Sequence, residues 1–338
     1  MSTQGYRVGI VGAPGVVGRT LLQVLEERQF PVAELRLLAT ERSAGRRLRA
    51  FGSEHRVETT SRERLKGLDI VFLAAGTDAS RHWAPVAQQA GAVVIDKSNA
   101  FRLDPQVPLV VPEVNGEELR RHQGLIASPN CSTIQLVVAL KPLYDRVGLE
   151  RVVVATYQSV SGTGQEAMEE LRRQVQQWLA EETIQSTVYP RQIAFNLLPH
   201  IDSFDQEGYT LEEMKLVRET RRILGAPELR ISATTVRVPV FIGHAEAVLV
   251  ETRTPVAVDT VRAWLREAPG VMLVDDPAAP AYPTPVEVTG SDLVYVGRLR
   301  RDLSSERGIW MWIVADNLRK GAATNAVQIA ELLFRREV

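Results

Sequence analysis

Short apolar blocks alternate with amphipathic ones through the first 130 positions. Tyr6 to Val11, Leu35 to Ala39, Asp69 to Ala75 and Ala92 to Asp96 are mostly apolar runs of strand length. Arg19 to Arg28 and Ser80 to Ala90 carry apolar residues at helical spacing, and Leu109 to Val111 and Leu125 to Ala127 are shorter apolar runs. Strands alternating with helices predict a parallel sheet wrapped on both faces.

The texture changes at Cys131. Ser128, Pro129 and Asn130 precede the apolar run Ile134 to Leu140, which predicts a helix N-terminus at Asn130 to Ser132. Arg151 to Val160 reads as extended. Gln165 to Glu182 is a long charged helix containing Trp178, and Leu211 to Leu224 is a helix with an imperfect apolar stripe. Long extended runs then follow one another: Arg230 to Val240, Ala245 to Thr254, Leu293 to Arg301 and Gly308 to Asp316. They predict an antiparallel or mixed sheet in a second, α+β domain. Asp276 to Pro285 is a proline-rich loop, and Lys320 to Arg335 a terminal helix.

Composition narrows the function. A chain of 338 residues is long enough for two domains with substantial cores. A net charge of −1 offers no electrostatic footprint for nucleic acid or an anionic membrane. No apolar run approaches the ~20 residues that span a bilayer, and the first twenty residues read as strand and glycine turn, not as a signal peptide. A cytoplasmic protein with a reduced thiol is expected. The single cysteine excludes an intramolecular disulfide framework and a cysteine-based zinc site.

Candidate chemistry starts at that cysteine. Free N–H groups at a helix start favour an anion, so they would raise the thiolate fraction of Cys131 and make it a nucleophile. Gly12, Gly15 and Gly18 stand in the first strand-turn-helix, where a dinucleotide fold sets pyrophosphate against a helix N-terminus. The end of the second strand, Thr40-Glu41-Arg42-Ser43-Ala44-Gly45-Arg46, offers two arginines and two hydroxyls against one acid, which favours the 2′-phosphate of NADP. Of five histidines, His55, His82 and His122 lie in charged segments and read as surface residues. His244 follows Gly243 at the end of an apolar run and is the first candidate base; His200 is the second. Arg237, amid Val236, Val238 and Val240, needs a carboxylate, either a substrate's or an internal one. Glu212 and Lys215 share a helix face, either as a binding pair or as an ordinary exposed ion pair. Arg102 follows a strand at the edge where α/β sheets bind ligands.

These residues fall into motifs that resemble those of the bacterial aspartate-β-semialdehyde dehydrogenase family. Ser128-Pro129-Asn130-Cys131-Ser132-Thr133-Ile134-Gln135 resembles the nucleophile motif. Tyr157-Gln158 with Ser161-Gly162-Thr163-Gly164 resembles a second. Glu212-Glu213-Met214-Lys215, Arg237 to His244, and Asp316 to Ala322 resemble three more, in order along nearly the whole chain. The resemblance implies an α/β chain with a Rossmann-like parallel sheet domain and an α+β catalytic and dimerisation domain. The division would be residues 1–129 with helix 319–338 for NADP, and residues 130–318 for catalysis and dimer contact. It implies Cys131 as nucleophile, His244 as acid/base and Gln158 as the residue orienting the reacting group. Arg237 would hold the substrate carboxylate and Glu212 its ammonium; Arg102, Lys215 and Asn130 would hold phosphate. Gly12, Pro14, Gly15, Val16, Val17, Gly18, Thr40, Arg42, Ser43, Ser161, Gly162 and Asn317 would contact NADP.

Two positions depart from the family pattern. Pro14 stands where threonine is usual, which removes a hydroxyl and an N–H from the phosphate turn. Glu41 stands where a small neutral residue is usual, opposite to what a 2′-phosphate wants. The expected protein is a cytoplasmic homodimer that interconverts β-aspartyl phosphate and aspartate β-semialdehyde through a cysteine thioester. It would serve lysine, methionine, threonine and diaminopimelate biosynthesis, with no metal. The alternatives are an N-acetyl-glutamyl-phosphate reductase, whose acetylated amine would not need Glu212, and a non-catalytic dimeric paralogue.

Overall fold

The computed structural model describes residues 5–334, so the last four residues of the expected 319–338 segment, Arg335 included, lie outside the described residues. The chain divides into two compact units, one running to Asn130 and resuming at Ala322, the other spanning Cys131–Gly321.

In the first unit the order is β1 (Tyr6–Val11), α1 (Val16–Glu27), β2 (Val32–Ala39), β3 (Arg47–Ala50), β4 (Ser53–Thr59), α2 (Arg62–Leu65), β5 (Ile70–Leu73), α3 (Thr77–Gln89), β6 (Val93–Asp96), α4 (Pro112–Asn115) and β7 (Leu125–Ala127). The seven strands form one sheet in the order β3-β4-β2-β1-β5-β6-β7. All neighbours are parallel except β3, which pairs antiparallel with β4. The expected parallel sheet is therefore present with one added antiparallel edge strand. That hairpin announces itself only through the four-residue alternation Arg47-Leu48-Arg49-Ala50. It turns through Phe51 and Gly52, both at positive φ, the signature of a tight two-residue turn. Val8, Ile10, Leu37, Ile70, Phe72 and Ile95 are buried in the sheet and pack with Leu21 and Leu25 of α1. The chain leaves β1 first toward β2 and later returns to its other side at β5. The glycine turn after β1 therefore sits at the switch point where such sheets bind ligands.

In the second unit come α5 (Cys131–Val147), β8 (Leu149–Gln158), α6 (Gln165–Leu179), α7 (Leu211–Ile223), β9 (Arg230–Arg237), β10 (His244–Thr252), α8 (Val258–Glu267), β11 (Val271–Leu273), α9 (Pro285–Val288), β12 (Val294–Arg301) and β13 (Gly308–Ala315). The six strands form a mixed sheet, β11-β12-β13-β10-β8-β9. The two outer pairs are parallel and the three inner pairs antiparallel. Alternation sorts its faces. Val152, Val154, Val248, Val250 and Ile313 are buried on one face. Val153, Ala155, Tyr157, Ala247, Leu249, Trp310 and Trp312 are only half-buried on the other. The terminal helix expected from Lys320 begins instead with a π-helical turn, Arg319–Ala323, before α10 (Thr324–Phe334).

Candidate active site

The phosphate turn of the first unit has a separate physical reason for each glycine. Gly12 has φ 90°, and a Cβ there would lie 2.6 Å from the Ala74 carbonyl oxygen. A Cβ on Gly18 would collide with the backbone of Gly12 and Ala13, so this glycine lets α1 approach the turn closely. Gly15, with φ −68°, is exposed at the N-cap of α1, and no side chain caps the helix. The open, uncapped start of a twelve-residue helix fits a pyrophosphate. Pro14, Val16 and Val17 are half-buried around it. Thr40, Glu41 and Arg42 are exposed where β2 ends in a single 3-10 turn, with Ser43 half-buried.

At the other side of the same sheet, Arg102 is buried. It donates from Nε to the Ser128 carbonyl (3.0 Å) and from Nη2 to the Lys97 carbonyl (2.8 Å). Lys97, which sequence reasoning passed over, donates to Ser128 Oγ at 3.2 Å and to the Pro129 carbonyl at 3.4 Å. Two cations thus brace the segment that ends in the buried Asn130 and leads into Cys131.

In the second unit, Cys131 is the first residue of the seventeen-residue α5 and is partly accessible. Gly321 packs against it; a Cβ on Gly321 would stand 2.9 Å from that of Cys131. Gly321 N–H donates to the Asp316 carbonyl, and the preceding Ala315 is the register partner of His244. The start of α5 therefore lies at the His244 end of the sheet. Gln158 ends β8 and pairs in register with Arg237, which ends the parallel β9. β10 runs the other way, so its first residue, His244, reaches the same sheet edge. Sheet topology thus collects three side chains that are up to 86 positions apart in the chain.

His244 is fully buried. Its Nδ1 accepts the Ser159 N–H at 3.0 Å, with Ser159 Oγ at 3.1 Å. The neutral ring therefore carries its proton on Nε2, and Nε2 has no hydrogen-bond partner among the described residues. Burial, reinforced by the charge of Arg237, pushes the His244 pKa down to about 3, while Glu212 pulls the other way. Because the folded-state pKa lies below the unfolded one, the unfolded chain binds more protons between about 3 and the ordinary histidine value near 6.5. This contribution to stability is complete above that window and is lost as pH falls through it. Arg237 is also buried, donates from Nη1 to the Ser159 carbonyl (2.8 Å), and leaves Nε unpartnered. Among the described residues no carboxylate pairs with it.

Glu212 and Lys215 are not the exposed pair that spacing allows. Glu212 is buried, accepts from Gln158 Nε2 at 3.1 Å and from Lys215 Nζ at 3.1 Å. Lys215 also binds Asp202 at 2.8 Å, thirteen positions away, a contact that no local pattern signals. Burial works against its charge, but Glu212 and Asp202 outweigh that and push its pKa up. Asn317 ties the backing loops together: its Oδ1 accepts from Ser159 Oγ, Ser161 Oγ and Gly243 N–H, and its Nδ2 donates to Ser161 Oγ. His200 is exposed and stacks on Phe204, two positions from Leu198, which pairs with Arg237, and two from Asp202. Ser159, which fixes the tautomer of His244, was missed because a serine after a strand looks like any turn residue. Among the described residues no group of three or more His, Cys, Asp or Glu side chains could hold a metal. No helix among them is long and apolar enough to cross a membrane.

A nucleotide-type α/β unit and an α+β unit carrying a helix-start cysteine with a buried histidine and arginine define a class, and comparison supplies the family. Residues 7–122 match the family model described as semialdehyde dehydrogenase, NAD binding domain, and residues 140–320 that of the semialdehyde dehydrogenase dimerisation domain. The aspartate-semialdehyde dehydrogenase of Aquifex aeolicus is 53% identical over 335 residues, covering 98% of each chain. The crystal structure of aspartate semialdehyde dehydrogenase II from Vibrio cholerae, complexed with ASA, superimposes with a TM-score of 0.95 at 49% identity. It covers 99% of this chain and 100% of that one. A Candida albicans aspartate semialdehyde dehydrogenase with NADP gives 0.74 at 25% identity, covering 97% and 98%. The chain belongs to the aspartate-semialdehyde dehydrogenase family and is an enzyme of that kind.

Proposed function

We propose that the chain catalyses the NADP- and phosphate-dependent interconversion of β-aspartyl phosphate and aspartate β-semialdehyde, through a thioester on Cys131. The observation that carries this reading is the pair of buried, partly unpartnered groups at one sheet edge, Arg237 and His244. A buried guanidinium with no carboxylate of its own is suited to a bidentate substrate carboxylate. A buried imidazole with a free Nε2–H is suited to an oxygen that gains charge during reaction.

In the biosynthetic direction the Cys131 thiolate attacks the acyl carbon; the C–S bond forms, the bond to the phosphate oxygen breaks, and inorganic phosphate departs. Arg102, Asn130 and Lys215 are each assigned to phosphate. Glu212 accepts the substrate ammonium and Gln158 orients the acyl group. Bound NADPH supplies hydride to the acyl carbon. Gly12 to Gly18, Thr40, Arg42 and Ser43 would hold its phosphates, and Ser161, Gly162 and Asn317 are also assigned to it. His244 holds its Nε2–H against the carbonyl oxygen as charge develops there; the C=O bond then re-forms as the C–S bond breaks, which frees the semialdehyde and the thiolate. A carboxylate on Arg237 would offset the charge that helps depress the His244 pKa.

The NADP preference rests on Arg42 and Ser43 and on the Candida albicans relative whose structure contains NADP. The half-exposed apolar face of the second sheet, within the residues matching a dimerisation domain, supports a homodimer. Lysine, methionine, threonine and diaminopimelate biosynthesis in the cytoplasm is the setting such a reaction serves. The test is phosphate-dependent reduction of NADP with aspartate semialdehyde, run beside NAD and the N-acetyl-glutamate analogue. Faster turnover of the acetylated analogue would replace this reading with the reductase alternative; equal rates without phosphate would remove the acyl-phosphate step.

A further inference from the structure

Two fully buried polar side chains, Glu246 of β10 and Gln135 of α5, take no part in the chemistry above. Glu246 stands two residues after His244, so both project from one face of the strand, the face on which α5 packs. Its register partners on either side are Thr156 and Ile313. The hydroxyl of Thr156 is already engaged by Gln158 Nε2 at 3.4 Å. Gln135 is the side chain that acts on the Glu246 carboxyl, although none of their four polar atoms has a partner in good geometry among the described residues. Burial favours the neutral acid. A neutral carboxylic acid and a primary amide each offer a donor and an acceptor, so each can satisfy the other. Left unmade, both would cost stability.

The same two residues join the elements that carry the proposed nucleophile and acid. Gln135 lies four residues after Cys131, on the same face of α5 and one turn further on. That turn rises about 6 Å, and the two strand residues from His244 to Glu246 span about 7 Å. Both steps lead away from the same end of the sheet. Where Gln135 faces Glu246, Cys131 therefore comes level with His244.

We propose that Glu246, paired with Gln135, is a positioning residue for Cys131: the pair sets the register of α5 on β10 and so keeps the thiol opposite His244. This rests on the roles proposed above for those two residues. Neither member of the pair is assigned to substrate or cofactor, so loosening it misaligns the reacting groups without weakening binding, and small misalignments cost large factors in rate.

The experiment compares wild type, Glu246→Gln, Glu246→Met and the double variant Gln135→Met with Glu246→Met. For Glu246→Met we expect kcat to fall about tenfold or more, with KM for aspartate semialdehyde and for phosphate within about twofold. Glu246→Gln can still donate to and accept from Gln135, so its kcat should stay within about threefold of the parent's. A loss as large as that of Glu246→Met would overturn the pairing. The double variant leaves no polar group unmatched, so it should melt at or above the parent temperature and still show the tenfold loss. Parental kcat in that variant would make the pair a structural feature only, and this arm decides if Glu246→Met alone fails to fold. Alkylation of Cys131 by iodoacetamide, unambiguous in a chain with one cysteine, should stay within about threefold throughout. A parallel loss of alkylation would place the effect on the thiol itself and overturn the alignment. A fully active Cys131→Ala removes the functional reading together with this inference. An inactive Cys131→Ala beside an unaffected Glu246→Met removes the inference alone.

Discussion

A lone thiol at the first residue of a helix and a guanidinium buried without a carboxylate carry most of the chemistry at the scale of single residues. Cys131→Ala should abolish turnover while leaving the melting temperature and NADP binding near those of the parent. Retention of more than about a hundredth of the parent rate would remove the nucleophile assignment, since deleting a covalent nucleophile costs orders of magnitude. Arg237→Lys keeps the charge and loses the planar fork, so kcat/KM for the semialdehyde should drop well over tenfold. A loss within about threefold, or less than about 1 kcal/mol, would mean that the two-donor contact is not made. Cys131, Arg237 and His244 were legible because each breaks its local pattern: one sulfur in the chain, one cation in an apolar strand, one histidine after a glycine at a strand end. Ser159, Asp202 and Lys97 were not, because serine, aspartate and lysine are ordinary in loops and acquire meaning only from what faces them.

At the scale of elements, polar residues inside apolar stripes mark where the amphipathic reading gives way. Glu170 of α6 is buried and accepts the backbone N–H groups of Thr187, Val188 and Tyr189, so a helix face that looks half-charged in sequence organises a loop. Glu213 of α7 forms a capping box with Thr210 and accepts the Thr235 N–H, which is why that stripe is imperfect. Glu246 of β10 is fully buried opposite Gln135 of α5, and neither of its oxygens has a hydrogen-bond partner in good geometry. Burial pushes its pKa well up, with Gln135 acting weakly the other way. Because the folded-state pKa is raised, the neutral acid is tolerated below the unfolded value. Stability is then lost as pH rises from there through the folded pKa. Glu246→Gln, neutral at every pH, should therefore match the parent in melting temperature near pH 4 and exceed it by about 2 °C or more at pH 8. A difference independent of pH in thermal melts would show that folding does not raise the Glu246 pKa.

At the scale of the whole molecule, the second sheet buries one face under its helices and leaves the other half-exposed, with Tyr157 and Trp312 packed ring to ring on it (centroids 5.5 Å apart). A contiguous apolar sheet face of this kind marks an interaction surface, and two copies of the chain are its expected occupants. Leu249→Asp, in the middle of that face, should convert a dimer into a monomer in sedimentation velocity without changing the far-UV circular dichroism. A parent that sediments as a monomer, or a variant that stays dimeric, would place the dimer contact elsewhere or remove it.

Much of this protein is written locally. Turn glycines, helix caps and runs of apolar residues act over a few positions. For that reason the strand-helix alternation of the first unit, the long strands of the second and the helix start at Cys131 can all be read from the chain. The hairpin of β3 and β4 escaped because its strands are short and mostly charged, with Leu48, Ala50 and Val57 alone facing the core. The tertiary structure decided the rest. The parallel pairing of β8 with β9 and the reversed course of β10 bring Gln158, Arg237 and His244 to one edge. Burial then keeps His244 neutral, while at Lys215 two acids outweigh it. Sequence offers the residue types; desolvation and register, which depend on elements far apart in the chain, settle what those residues can do.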